Sequence, residues 1–375
     1  MDECVLAERL MGYDTSKPQE LRAAAEFVTG WLETRDIAVR RLDHNGLPVI
    51  LAEAGPKTGP LIVLHGHIDV VPAFPDQFAP RIEGDRLIGR GAYDMKGALA
   101  AMICALHDVA AQDRVRVRFV CVPDEESEDV DDRATDVLVA EELADAAFAI
   151  TGEPTDLHVG VQAKGVLALV VEVCGTAAHG STPWLGDNAI LKSYDVFRRI
   201  ETLPFSRESS DLFDRPSINL SRIHGGDAFN KVPDRCRMDV DIRFLPGQDT
   251  EAILDQIRAL PDVEIVRCFT RAPAIVSRTS PYVLALRDAG SASIEGEALS
   301  IGRDGASDAI SFLEAGIPAV EFGPVGAGHH GPDEWVSIAS LKIYRKALVD
   351  FVDALPQRLA ERAAPGLHLI DGDVA

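Results

Sequence analysis

Apolar and polar positions along the chain follow two periods, and the switches between them mark the elements. Over 18–34, Leu21, Ala25, Val28 and Leu32 recur at helical spacing behind a proline suited to a first turn, which predicts an amphipathic helix. Pro60-Leu61-Ile62-Val63-Leu64 is an unbroken apolar run, the pattern of a parallel strand covered on both faces. A helical period follows over 95–111, a strand-like alternation over 115–122 and another short buried strand over 148–151. Strands alternating with helices predict an α/β fold with a mixed, largely parallel sheet flanked by helices.

Near Val159 the pattern changes. Strands are predicted over 166–173, 217–223 and 237–244, and helices over 188–203 and 250–260. This β-α-β-β-α order fits an inserted α+β domain of ferredoxin-like type with an antiparallel sheet. The α/β rhythm resumes near Ser280, with helices over 281–289 and 340–355 and a strand over 319–322. The expected organisation is a discontinuous catalytic domain, 1–158 and 275–375, with 159–274 inserted; the tail after Pro365 is expected to fray or lie on the surface.

Composition narrows the picture. A chain of 375 residues, 46% hydrophobic and 26% charged, is globular and long enough for two domains. No apolar run approaches the roughly 18 residues that span a bilayer. Met1-Asp2-Glu3-Cys4 lacks the layout of a signal peptide, so a cytoplasmic location is expected. A net charge of −23 argues against nucleic acid and membrane surfaces as partners. The cysteines lie singly, without a CxxC pair, so reduced, buried thiols are expected rather than disulfides or a thiolate metal site.

Candidate chemistry clusters where predicted strands end. Leu64-His65-Gly66-His67-Ile68-Asp69-Val70-Val71-Pro72 follows the buried strand, and catalytic groups in open α/β sheets gather at such ends. A lone His-x-Asp carries little weight; further clusters change that. Gly89-Arg90-Gly91-Ala92-Tyr93-Asp94-Met95-Lys96-Gly97 places an aspartate among glycines without the Lys-Ser/Thr ending of a phosphate loop. Pro123-Asp124-Glu125-Glu126 ends one apolar strand, and Thr151-Gly152-Glu153-Pro154-Thr155 ends another. His329-His330-Gly331-Pro332-Asp333-Glu334-Trp335 follows the late strand. So many carboxylates meeting in one cleft would repel unless cations neutralise them. Oxygen and imidazole donors without cysteine suit zinc, cobalt or manganese. A G-x-S-x-G elbow, which a serine hydrolase would want, is absent from the sequence.

These motifs, in this order and spacing, resemble the M20 family of metallopeptidases, which includes acetylornithine deacetylase, succinyl-diaminopimelate desuccinylase, aminoacylase and carboxypeptidase-type members. The resemblance implies two divalent metal ions, zinc first. His67 and Glu153 would hold one, Glu126 and His330 the other, and Asp94 would bridge both. It implies Asp69 as the carboxylate that orients His67, and Glu125 as general acid/base. In the inserted domain, Gly175-Thr176-Ala177-Ala178-His179-Gly180 is similar to the family segment whose histidine reaches the neighbouring subunit's active site, where it stabilises the oxyanion. A homodimer follows, with the inserted domain as lid and dimerisation domain. Asn230 and Arg243 would hold a substrate carboxylate. Acetylornithine deacetylase-like members match best, which implies an N-acyl-L-amino acid substrate; short peptides, cleaved as by a dipeptidase or carboxypeptidase, are the alternative. The loop Gly302-Arg303-Asp304-Gly305-Ala306-Ser307-Asp308 matches a pocket-lining position of no assigned role. One departure stands out: after the paired glutamates the family usually has a glycine-containing turn, whereas this chain has the acidic run 127–133.

Overall fold

A computed structural model describes residues 2–127, 132–292, 297–305 and 308–363. Glu128, Asp129, Val130 and Asp131 of the acidic run, Ala306 and Ser307 of the 302–308 loop, and the tail after Pro365 lie outside the described residues. The chain forms two compact units. The first comprises Met1–Val161, Val276–Ile301 and Ser307–Ala375; the second comprises Gln162–Ile275 and Gly302–Ala306.

The first unit is built on a mixed sheet that is parallel at its centre. Leu61–His67 runs parallel to both Arg116–Val122 and Ala146–Thr151, and Ala319–Glu321 runs parallel to Ala146–Thr151. Every residue of Leu61–His67 is buried, which explains its continuous apolar sequence. The hairpin Val39–His44 and Leu47–Ala54 extends the sheet antiparallel beyond Arg116–Val122. One face packs Leu61, Val63, Val120, Val122 and Ala149 against Leu138 and Phe312. Helix Gly97–Asp108, apolar along nearly its whole length, packs on Leu61–His67 and Arg116–Val122 and meets Glu3–Met11 and Ile338–Ala363.

Parallel pairing puts the carboxyl ends of four strands on one side. Register makes this quantitative: His67 sits opposite Val122, His65 opposite Thr151, and Glu321 opposite Thr151. The segments that follow, 123–126, 152–155 and 322–330, therefore start from one rim.

The second unit is a four-stranded antiparallel sheet in the order Ser217–Gly225, Arg235–Phe244, Gly165–Cys174, Val263–Arg271. Ala189–Ile200 and Thr250–Arg258 bury Val196, Phe197, Ile200, Ile253, Leu254 and Ile257 against it. The chain order is thus β-α-β-β-α-β. The last strand, Val263–Arg271, was not expected from the pattern; it is an edge strand with half of its residues exposed, so it lacks an apolar run.

Three further differences are local. The helix expected over 95–111 runs Gly97–Asp108, because Asp94 (φ −121°, ψ 95°) and Met95 (φ −131°, ψ 28°) leave helical geometry. The last helix, expected over 340–355, spans Ile338–Ala363 and continues through Pro356. Of the thiols expected to be buried, Cys4, Cys104, Cys121 and Cys236 are, but Cys174 at a strand end and Cys268 on the edge strand are exposed. All are free, and among the described residues no helix is long and apolar enough to cross a membrane.

Candidate active site

The rim of the first unit's sheet brings together all five residues expected to bind metal. His67, at the end of its strand, is fully buried. Its Nδ1 lies 3.0 Å from the backbone carbonyl of Asp69, which directs Nε2 outward. That Nε2 is 3.1 Å from Asp94 Oδ1 and 3.9 Å from Glu153 Oε1. His330 Nε2 is 3.3 Å from Asp94 Oδ2 and 2.9 Å from Glu126 Oε1. The Asp94 carboxylate therefore stands between the two imidazoles and turns one oxygen to each. One donor atom each from His67, Asp94 and Glu126 falls within 4.8 Å of the others.

The site is closed at one end and open at the other. Glu153 is 9% exposed and His67 not at all, whereas the His330 side chain is 50% exposed. His330 holds φ +61°, a left-handed conformation that costs energy without glycine and that recurs at functional sites. Beside it an open cavity of about 440 Å³ is walled by Pro72, Ala73, Phe74 and Pro332.

Asp69 does more than the sequence implies. Its carboxylate is 3.5 Å from His67 Nδ1, but it also accepts the backbone N–H of Glu126 at 2.8 Å and of Glu125 at 3.3 Å. One short acid thus holds both His67 and the paired glutamates.

The electrostatics record a strongly negative pocket. Burial alone would depress the pKa of His67, but the Asp69 and Asp94 carboxylates outweigh it and hold it well above the usual imidazole range. Hydrogen bonds to Asp94 and then to Glu126 push His330 up to about 10. Burial raises Glu125 well above the usual carboxylate range, opposed by His67 and reinforced by Glu153 and Asp308. Burial also carries Asp124 up to about 6. A divalent cation at the same donors would compete with protons for the two imidazoles and use the same field. Carboxylate oxygens and imidazole nitrogens without a thiolate, with Asp94 facing both ways, form a donor set that fits a cation pair.

Residues 63–354 match the profile of Peptidase family M20/M25/M40. The chain belongs to that family. The chain is 30% identical over 305 residues to a putative succinyl-diaminopimelate desuccinylase of Mycobacterium tuberculosis, covering 78% of this chain and 82% of that protein. The fold is similar to an M20 family metallo-carboxypeptidase of Sulfolobus solfataricus, with a TM-score of 0.76, 18% identity and coverage of 95% of this chain and 100% of that one. It is also similar to a dinuclear metal-binding peptidase of the M20 family from Bacillus subtilis, at a TM-score of 0.69 and 17% identity, covering 94% and 98% of the two chains. This M20 chain is a metal-dependent hydrolase.

The remaining expected residues of this M20 chain lie in the second unit. His179 is exposed, and its Nδ1 bonds the Ser181 hydroxyl at 2.7 Å and accepts the Ser181 N–H at 3.1 Å. The backbone carbonyl of Asn230 accepts the Gly180 N–H at 2.7 Å, which pins the His179 turn to the Asn230 turn. Arg243 donates from Nε to Asp241, two residues back on its own strand, at 3.0 Å.

Four residues of the site carry no role in the sequence reading. Glu334, fully buried, accepts the backbone N–H groups of Gly91, Tyr93 and Asp94 at 2.9–3.0 Å. Arg90 pairs with it. Arg133 contacts Glu125 at 3.4 Å, and Asp308 contacts Arg133 at 3.6 Å. Glu334 was visible within the His330 motif as an acid beside a Trp; nothing in the sequence connects Arg133 or Asp308 to Glu125.

Proposed function

We propose that this chain hydrolyses the amide bond of a small N-acyl-L-amino acid with a free carboxylate, as a deacylase that uses two divalent cations, zinc first. The observation that carries this reading is the Asp94 carboxylate set between His67 and His330, with Glu153 and Glu126 on either side. His67 and Glu153 would hold one cation and Glu126 and His330 the other, with Asp94 shared. Bound there, the pair would supply Lewis acidity, making water a better nucleophile near neutral pH and polarising the scissile carbonyl.

The chain's own groups supply the rest. Glu125, adjacent to ligand Glu126 and held by Asp69 through its N–H, takes the proton of the attacking water and returns it to the leaving amine. Its raised proton affinity suits that exchange, since an ordinary carboxylate is a poor acid for an amine. His179 would stabilise the oxyanion in the partner subunit's site of a homodimer, and the Ser181 bond fixes its ring with Nε2 left for that task. Asn230 and the Nη groups of Arg243, unused in the bond to Asp241, would hold the substrate carboxylate. The second unit would act as the lid and dimerisation domain. A cavity of about 440 Å³ beside His330 suits a small substrate.

Short peptides are the second reading, favoured by the family's description as peptidases. Metal analysis of the purified protein, with a panel of N-acyl-L-amino acids and dipeptides, tests both. Two equivalents of metal per chain with N-acyl amino acid turnover is the expected result. Exclusive dipeptide turnover would replace the deacylase reading, and full activity after exhaustive chelation would remove the metal reading.

A further inference from the structure

The acidic run 127–133, where the chain departs from the M20 pattern, ends in a cation. Arg133 is the residue before helix Ala134–Glu141, in extended conformation (φ −98°, ψ 139°). Asp124 Oδ2, one residue before Glu125, accepts the N–H of Ala134, one residue after Arg133, at 2.9 Å. Its guanidinium Nη1 lies 3.4 Å from Glu125 Oε1 and 3.6 Å from Asp308 Oδ1, with its side chain 14% exposed.

Asp308 is itself fixed. Its Oδ2 accepts the Thr135 hydroxyl at 2.6 Å, and the Thr135 oxygen lies 3.0 Å from His65 Nε2, so His65 donates to Thr135 and Thr135 to Asp308. Thr135 and Asp308 are buried, and His65 lies on the central strand two residues before His67. The guanidinium is thus linked through Asp308 and Thr135 to His65 on the central strand.

We propose that Arg133, anchored by Asp308, is a positioning residue that holds the Glu125 carboxylate in its working rotamer. The inference rests on the reading of Glu125 as proton carrier. Glu125 is crowded by acids: Asp69 binds its N–H, Glu126 adjoins it, and Glu153 and Asp308 add repulsion. Like charge on several sides drives a carboxylate towards solvent unless a cation draws it inward. Arg133 supplies that pull through Nη1, 3.4 Å from Glu125 Oε1, and acts through Glu125 rather than on substrate. Its three-carbon stem and planar head fit between two carboxylates, a geometry lysine copies only in part.

The test uses steady-state kinetics on whichever panel substrate is turned over, with metal content and thermal melting of each variant. Arg133→Gln should lower kcat about 10²-fold, the scale of a misplaced catalytic group, with KM, metal stoichiometry and melting temperature near wild type. Arg133→Lys should recover part of kcat, and Asp308→Asn should reproduce the kcat-selective loss. If Arg133→Gln fails to fold, the Lys and Asn variants carry the test. Unchanged kcat in them, a rise in KM alone, or loss of metal would overturn the proposal. Glu125→Gln run alongside separates the two claims. Full activity in Glu125→Gln sinks the reading of Glu125, whereas an inactive Glu125→Gln beside a fully active Arg133→Gln sinks only the inference.

Discussion

Arg90 and Glu334 form a buried ion pair at 2.6 Å that couples the two halves of the site. Glu334 gathers the N–H groups of Gly91, Tyr93 and Asp94, while the other arm of Arg90 donates to the carbonyl of His330 at 3.1 Å. The backbone that presents Asp94 and the backbone that presents His330 are therefore held by one pair of side chains. Below them Lys96, fully buried, donates to the Tyr13 carbonyl at 2.8 Å, and burial brings its pKa down to about 7 against the pull of Glu334.

Removing one partner of such a pair leaves an uncompensated buried charge and three orphaned amides. Glu334→Ala is expected to cost about 3–5 kcal/mol of stability, read by denaturant unfolding. Glu334→Gln, which keeps an acceptor for Tyr93 and Asp94, should cost less. Both should bind metal more weakly than wild type. Equal metal affinity in Glu334→Ala would mean that the Asp94 and His330 loops hold their positions without the pair.

Glu125→Gln preserves shape and removes the carboxylate proposed to carry the proton. Metal content should stay at the wild-type level while kcat falls by about 10²–10⁴, the range that general acid–base catalysis contributes. Substantial residual turnover would take Glu125 out of that role.

Packing under the site is tight. A Cβ on Gly152 would lie 2.5 Å from Met95 Cε and 2.9 Å from Met102 Cε, and Met95 Sδ accepts the N–H of His67 at 3.4 Å. Gly152→Ala should therefore destabilise by about 1–3 kcal/mol and disturb His67 and Asp94 together. Gly30 lies inside helix Pro18–Glu33, and a methyl added there would meet nothing within 4 Å. Gly30→Ala should stabilise by about 0.5–1 kcal/mol and leave activity alone. Melting curves of the two variants moving in the same direction would contradict this.

Thiol chemistry should divide the cysteines by burial. Cys174 and Cys268 are expected to react with a colorimetric disulfide reagent in the native protein, and Cys4, Cys104, Cys121 and Cys236 only after denaturation. Burial pushes Cys104 up to about 12, so its reactive thiolate is scarce even when water reaches it. Native reaction of more than two thiols would show that the buried set is accessible.

Much of the candidate site was legible because each proposed ligand except Asp94 lies at or just past the end of an apolar strand or in a motif that follows one. His67, Glu126 and Glu153 could be placed from the runs before them, and the largely parallel sheet puts those ends on one rim. The conformation of Asp94 was not legible. The helical period over 95–111 runs up to it, yet its N–H is held by Glu334 from 240 positions away, which turns the residue out of the helix.

By itself the sequence determined the alternation of elements, the α/β class and the candidate acids and imidazoles at the strand ends, because burial face by face writes its period directly into neighbouring residues. Only the tertiary structure decided which polar groups answer one another: Arg90 with Glu334, Arg133 with Glu125 and Asp308, and the edge position that leaves Cys268 exposed. Those pairings depend on strand order and register between distant segments, and a charge that is satisfied across the fold looks, in one dimension, like any other charge.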